Sequence, residues 1–146
     1  MAAEKINANG WTADLPEGWE DRSMITLVGE TDASGFASNI VVTRQKVDSD
    51  TSLEDYASMQ AEMLRGEVGN LQILDERQIE INDTNAFQRL QRFIVEGTQI
   101  IQQVQTYFLA GEIIFAITGT ATIEAFDRSI PAFKKFVETF QIDPKK

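Results

Sequence analysis

Glu76 and Glu80 stand four residues apart in a stretch that alternates like a strand, so both carboxylates share one face. Paired carboxylates are what acid–base chemistry on a glycosidic bond uses. Ile73, Ile79 and Ile81 are expected on the opposite face, so the pair reads more simply as the solvent side of a half-buried strand. Asp48-Ser49-Asp50 suggests a calcium loop, but the glycine and closing glutamate of an EF-hand do not follow at the required spacing. The glycines form no phosphate-binding fingerprint, and no Gly-rich turn precedes a helix start. The chain has no histidine and no cysteine. A Ser-His-Asp triad, an imidazole base or ligand, a thiolate nucleophile and a disulfide framework are all excluded by residue type. Carboxylate-only chemistry stays open to the residue types present, and the expectation is a non-catalytic protein with no metal and no cofactor.

The glutamines are more informative. Gln99, Gln102, Gln103 and Gln105 lie in or beside one strand-like segment, among Ile100, Ile101, Val104 and Tyr107, and Gln60 falls on the apolar stripe of a helix. A buried amide must find hydrogen-bond partners. Two readings stay open: amides at the edge of a core satisfied by neighbours or water, or amides lining an apolar groove and offering bonds to a ligand's backbone. Met24, Ile25, Thr26 and Leu27, and likewise Ile40, Val41 and Val42, place apolar groups on both faces of their segments. Either a core encloses both faces, or one is an exposed apolar surface that receives a partner.

These residues need a scaffold, and the pattern supplies one. Short strands are expected at Trp11–Leu15, Met24–Val28 and Phe36–Lys46, the last two joined by the turn-rich run 29–35. Thr51 and Glu54 fit a capping box, and Leu53, Tyr56, Ala57, Gln60 and Leu64 follow at helical spacing until Gly66. Four strands then succeed one another at 71–81, 86–95, 100–109 and 113–118, with turns at Asn82-Asp83, near Gly97 and at Ala110-Gly111. Short turns make this an antiparallel meander. Phe126, Ile130, Phe133, Val137 and Phe140 form one apolar helical stripe, with Pro131 either opening the main helix or kinking a longer one. The expected fold is α+β, an antiparallel sheet of about six to seven strands with two main helices packed against it, forming a single domain over residues 1–146. Trp19 follows a Pro-Gly turn and is expected to anchor its strand by burial, so that Trp19→Ala would cost roughly 3–5 kcal/mol.

Acids outnumber bases 23 to 13, for a formal net charge of −10. Such a surface repels phosphate, which argues against nucleic acid and anionic membranes as partners. No window is long and apolar enough for a signal peptide or a membrane span, which predicts a cytoplasmic protein without stable membrane insertion if Met1 is the natural start.

At Leu15-Pro16-Glu17-Gly18-Trp19-Glu20-Asp21-Arg22-Ser23, followed by a strand, the sequence resembles the opening of DcrB-related domains of the PsbP-like fold. Val42-Thr43-Arg44 resembles the close of a strand in those domains, and Leu53-Glu54-Asp55-Tyr56 the start of their helix. Gln103-Val104 and Ile117-Thr118 resemble their late strands. A member of this length is most similar to the Eag chaperones of type VI secretion. That resemblance implies a homodimer that cradles the N-terminal transmembrane helices of a toxin effector before it is loaded on the secretion spike. It also implies groove residues at Met24, Thr26, Val41, Gln60 and Gln103. Thr26 stands where an aliphatic residue is expected, which leaves Ile25 and Leu27, on the other face, as the alternative lining. Groove residues of this kind would serve binding without being needed for folding. The resemblance also admits a binding module for a small ligand or protein, with a housekeeping or envelope role, as in other DcrB-like proteins.

Overall fold

The computed structural model describes residues 4–95 and 99–142. The Asn9-Gly10 turn, with Gly10 at a φ of 95°, folds strand β1 (Lys5–Ala8) against β2 (Trp11–Asp14) as a separate two-stranded sheet. The Asn-Gly dipeptide was the available signal for β1, which the strand pattern alone did not reveal. Trp19 is not an anchor: it is 70% exposed. Its amide closes a turn on the Pro16 carbonyl at 3.1 Å, with Gly18 at a φ of 84°, and the indole is largely open to solvent.

The main sheet contains strands β3 (Met24–Thr31), β4 (Ala37–Lys46), β5 (Gly69–Ile81), β6 (Thr84–Val95), β7 (Gln99–Ala110) and β8 (Ile113–Thr122). Every neighbouring pair is antiparallel, in the order β3-β4-β8-β7-β6-β5. The turn chemistry dictates this meander. Asn82 and Asp83 both take positive φ, the geometry a two-residue hairpin demands, and Gly111 does so between β7 and β8. The expected turn near Gly97 lies outside the described residues.

Helix α1 (Leu53–Arg65) crosses from β4 to β5 over one face of the sheet. Its cap is Ser52 rather than Thr51: the Ser52 hydroxyl accepts from the Asp55 amide at 3.0 Å. Helix α2 (Ile123–Thr139) covers the other face and continues through Pro131, which is exposed. Phe126, Phe133 and Val137 are buried as the stripe predicts, whereas Ile130 is partly exposed. Gly119 permits this docking, since a Cβ there would lie 2.6 Å from Cγ of Phe133.

The two helices make the centre of the sheet apolar on both sides. Tyr56 and Ala57 pack on Phe87, Tyr107, Ile114 and Ala116 beneath α1, and Val137 packs with Ala86, Phe108 and Ile117 beneath α2. The edge strand β3 escapes both helices. Met24, Ile25, Leu27 and Val28 are 45% to 68% exposed, so apolar side chains meet solvent on both faces there.

Candidate functional site

Antiparallel pairing lines residues up in rows across the sheet, all pointing to the same face. On the α1 face, one row runs Met24–Thr43–Ala116–Tyr107–Phe87. The next runs Thr26–Val41–Thr118–Gln105–Arg89–Glu76, and the one beyond runs Val28–Asn39–Thr120–Gln103–Gln91–Ile73. Across β8, β7 and β6 the first row is apolar. The other two are mostly polar or charged there.

Helix α1 packs on the apolar row and stands off from the others. Tyr56 meets Tyr107 edge-on at 5.7 Å, and its hydroxyl donates to Gln45 Oε1 at 2.6 Å. Burial raises the pKa of both tyrosines, that of Tyr107 to about 12. The C-terminal half of α1 then overhangs a cavity of about 450 Å³. Gln60, Met63, Leu64 and Glu67 form its roof, and Asn39, Val41, Thr118, Thr120, Gln103, Gln105 and Gln91 its floor. Met59 and Met63 are exposed on the helix, and Met24 is exposed at the rim strand.

The five positions singled out from the sequence therefore share one side of the sheet. Val41, Gln60 and Gln103 line the same cavity, and Met24 and Thr26 extend its floor onto β3. Ile25 and Leu27 pair with Val42 and Ile40 and so face α2, away from the cavity. The glutamine cluster divides: Gln103 and Gln105 face the cavity, whereas Gln102 points to the other side, where Arg92 donates to its Oε1 at 2.8 and 3.0 Å. Gln99 donates to the Ser34 hydroxyl at 3.2 Å.

Hydrogen bonds tie part of the floor together. Gln91 Nε2 donates to Gln103 Oε1 at 2.8 Å, and Gln103 Nε2 donates to the Thr120 hydroxyl at 3.1 Å. Gln103 is thus part of the sheet's own bonding, not a side chain reserved for a ligand. Four buried atoms on this face nonetheless lack a partner among the described residues: Arg89 Nη1, Gln91 Oε1, Gln105 Oε1 and the Tyr107 hydroxyl. Each such group costs about 1–3 kcal/mol when left unbonded, so the face carries unused hydrogen-bonding capacity.

Arg89 is the residue the sequence did not point to. It is 2% exposed, its Nε donates to Glu76 Oε2 at 2.9 Å, and its guanidinium lies 5.7 Å from the Phe87 ring centroid. Glu76 is therefore the counter-ion of a buried arginine as well as a solvent-side carboxylate. Ile73 lies on the same face as Glu76, not the opposite one, because β5 shifts register between Ile73 and Asp75. Among the described residues no cluster of acidic side chains is suited to hold a metal, and no helix is long and apolar enough to cross a membrane.

A family model, DcrB, matches residues 12–139 of the chain. No curated protein matches it in sequence. Solved structures share the fold, among them the following two. One is PA94, a protein of unknown function from Pseudomonas aeruginosa, 18% identical, with a TM-score of 0.83 over 97% of this chain and 98% of that one. The other is the cyanobacterial PsbP (CyanoP) of Synechocystis, 13% identical, with a TM-score of 0.60 over 98% of this chain and 94% of that one.

Proposed function

We propose that this chain, which belongs to the DcrB family, is a cytoplasmic, homodimeric chaperone that shields the N-terminal transmembrane helices of a type VI secretion effector before loading on the spike. One observation carries the reading: a cavity of about 450 Å³ between α1 and the sheet, where Val41 and Met63 adjoin amides with unused bonding capacity. An apolar helix of about 20 residues cannot stay exposed in water without aggregating. It needs apolar contact along most of its length, and a bonding partner wherever a polar group interrupts it. The cavity floor supplies the bonding partners, and Val41 with Met63 and Leu64 of the roof and the exposed Met24 and Met59 at the rim supply the apolar contact. Methionines suit such a client, because the unbranched thioether adapts to varied helix surfaces. Nothing in the reading requires a catalytic residue.

The test is capture from the native host with the tagged protein as bait. A stoichiometric large protein with apolar N-terminal helices supports the proposal, and its loss when those helices are deleted secures it. Capture only of proteins without such helices refutes it. A second reading has one observation behind it. The cavity of about 450 Å³, with orphan acceptors on Gln91 and Gln105, also suits a small polar ligand, as a binding module with a housekeeping or envelope role would require.

A further inference from the structure

The outer edge of β3 is the exposed element that the cavity does not explain. Ser23 lies opposite Arg44, and the Arg44 amide donates to the Ser23 carbonyl at 3.2 Å. In an antiparallel pair the bonded positions alternate. Ser23, Ile25 and Leu27 therefore direct their backbone groups toward β4, and Met24, Thr26 and Val28 direct theirs outward, where no strand follows among the described residues. Natural edges are normally blunted by charge, proline or a bulge. The opposite edge obeys that rule: β5 carries two register shifts and the charged run Asp75-Glu76-Arg77. Residues 23–29 of β3 contain no charge and no proline, and the strand's irregularity comes only after Val28.

We infer that the β3 edge pairs, antiparallel and about a two-fold axis at Thr26, with β3 of a second copy of this chain. This deepens the homodimer proposed above and rests on it. The register follows from the residues. With Thr26 opposite Thr26 of the other copy, Met24 meets Val28, Ile25 meets Leu27, and the ends of the ladder bring Arg22 of one copy toward Glu30 of the other. Sliding one copy by two residues toward the loop instead places Glu30 against Glu20. Glu30 has no ion pair among the described residues, and Arg22 has only an exposed contact with Glu20 at 3.3 Å. In a chain of net charge −10, an uncharged seven-residue stretch flanked by one cation and one anion is where a second copy approaches without repulsion. Pairing also joins the two candidate sites: Met24, Thr26 and Val28 lie on the cavity side, so each copy extends the floor of the other.

The experiment measures molar mass by light scattering across a dilution series, with circular dichroism to confirm folding. Wild-type protein should be a dimer. Thr26→Pro removes an outward-facing amide hydrogen without touching the ladder to β4, and occurs twice per dimer. It should raise the dissociation constant about tenfold or more. Arg22→Glu should weaken the dimer through like charges, and adding Glu30→Arg to the same chain should restore it, a result that no misfolding produces. A wild-type monomer at micromolar concentration refutes both the edge pairing and the homodimer. A dimer unaffected by Thr26→Pro and by the charge reversal refutes the edge pairing and leaves the homodimer standing.

Discussion

Replacing Gln103 by alanine separates the structural from the binding role of the cavity floor. The substitution deletes two hydrogen bonds, one from Gln91 at 2.8 Å and one to Thr120 at 3.1 Å. Each is worth about 1 kcal/mol net. The partners do not suffer equally. Thr120 borders the cavity, where water replaces the lost donor. Gln91 is fully buried and its Oε1 already lacks a partner, so losing the bond at Nε2 leaves the whole amide unsatisfied. The expected destabilisation is about 2–3 kcal/mol. Gln60→Ala supplies the contrast. Gln60 lines the same cavity but makes no side-chain hydrogen bond among the described residues, and alanine is the better helix former. It should change stability by less than about 0.5 kcal/mol. Urea unfolding followed by circular dichroism distinguishes the two, with a midpoint shift of about 1 M for Gln103→Ala and essentially none for Gln60→Ala. Equal stabilities would show that the amide row contributes nothing to the fold.

The remaining predictions follow the same geometry. Gly119→Ala drives a methyl group into the Phe133 ring and should destabilise by about 1–3 kcal/mol, measured as a lowered melting temperature. Trp19→Ala should leave the melting temperature nearly unchanged, because the indole is exposed; a loss of several kcal/mol would overturn that placement. Burial holds the Tyr107 pKa at about 12, above its ordinary 10. Because burial penalises the phenolate, this group leaves stability untouched below pH 10 and lowers it by about 2–3 kcal/mol in all as pH climbs through 12. Tyr107→Phe deletes a hydroxyl without a partner, so stability at pH 8 should hold or rise and the alkaline loss should shrink in pH-dependent urea titrations.

Local chemistry made most of the fold legible. Asn82-Asp83, Gly111 and the α2 stripe each act through near neighbours, and the elements they delimit stand within a few residues of expectation. Features set by distant partners were not legible in the same way. Whether Trp19 is buried depends on whether another element covers it, and among the described residues the indole stays largely exposed. Ile73 changes face because of a bulge, which one extra residue creates without altering the alternation nearby. Arg89 is hidden because a lone arginine in a strand reads as solvent-facing, and only pairing with β5 brings Glu76 beside it. The candidate site shows both behaviours. Residue type pointed to amides in apolar surroundings, whereas the division between Gln102 and Gln103 came from strand parity, and the overhang of Gln60 came from the path of α1.

The central claim is that the α1 face of the sheet receives an apolar helix. The direct measurement is the affinity for a labelled apolar helical peptide of about 20 residues in mild detergent, comparing wild type, Val41→Asp and Ala132→Asp. Val41 lies on the cavity floor, where a carboxylate is desolvated against the client at a cost of several kcal/mol. Ala132 is exposed on α2, across the sheet. With circular dichroism confirming that all three are folded, Val41→Asp should lose binding and Ala132→Asp should bind as wild type. A folded Val41→Asp protein that retains full affinity would contradict the account.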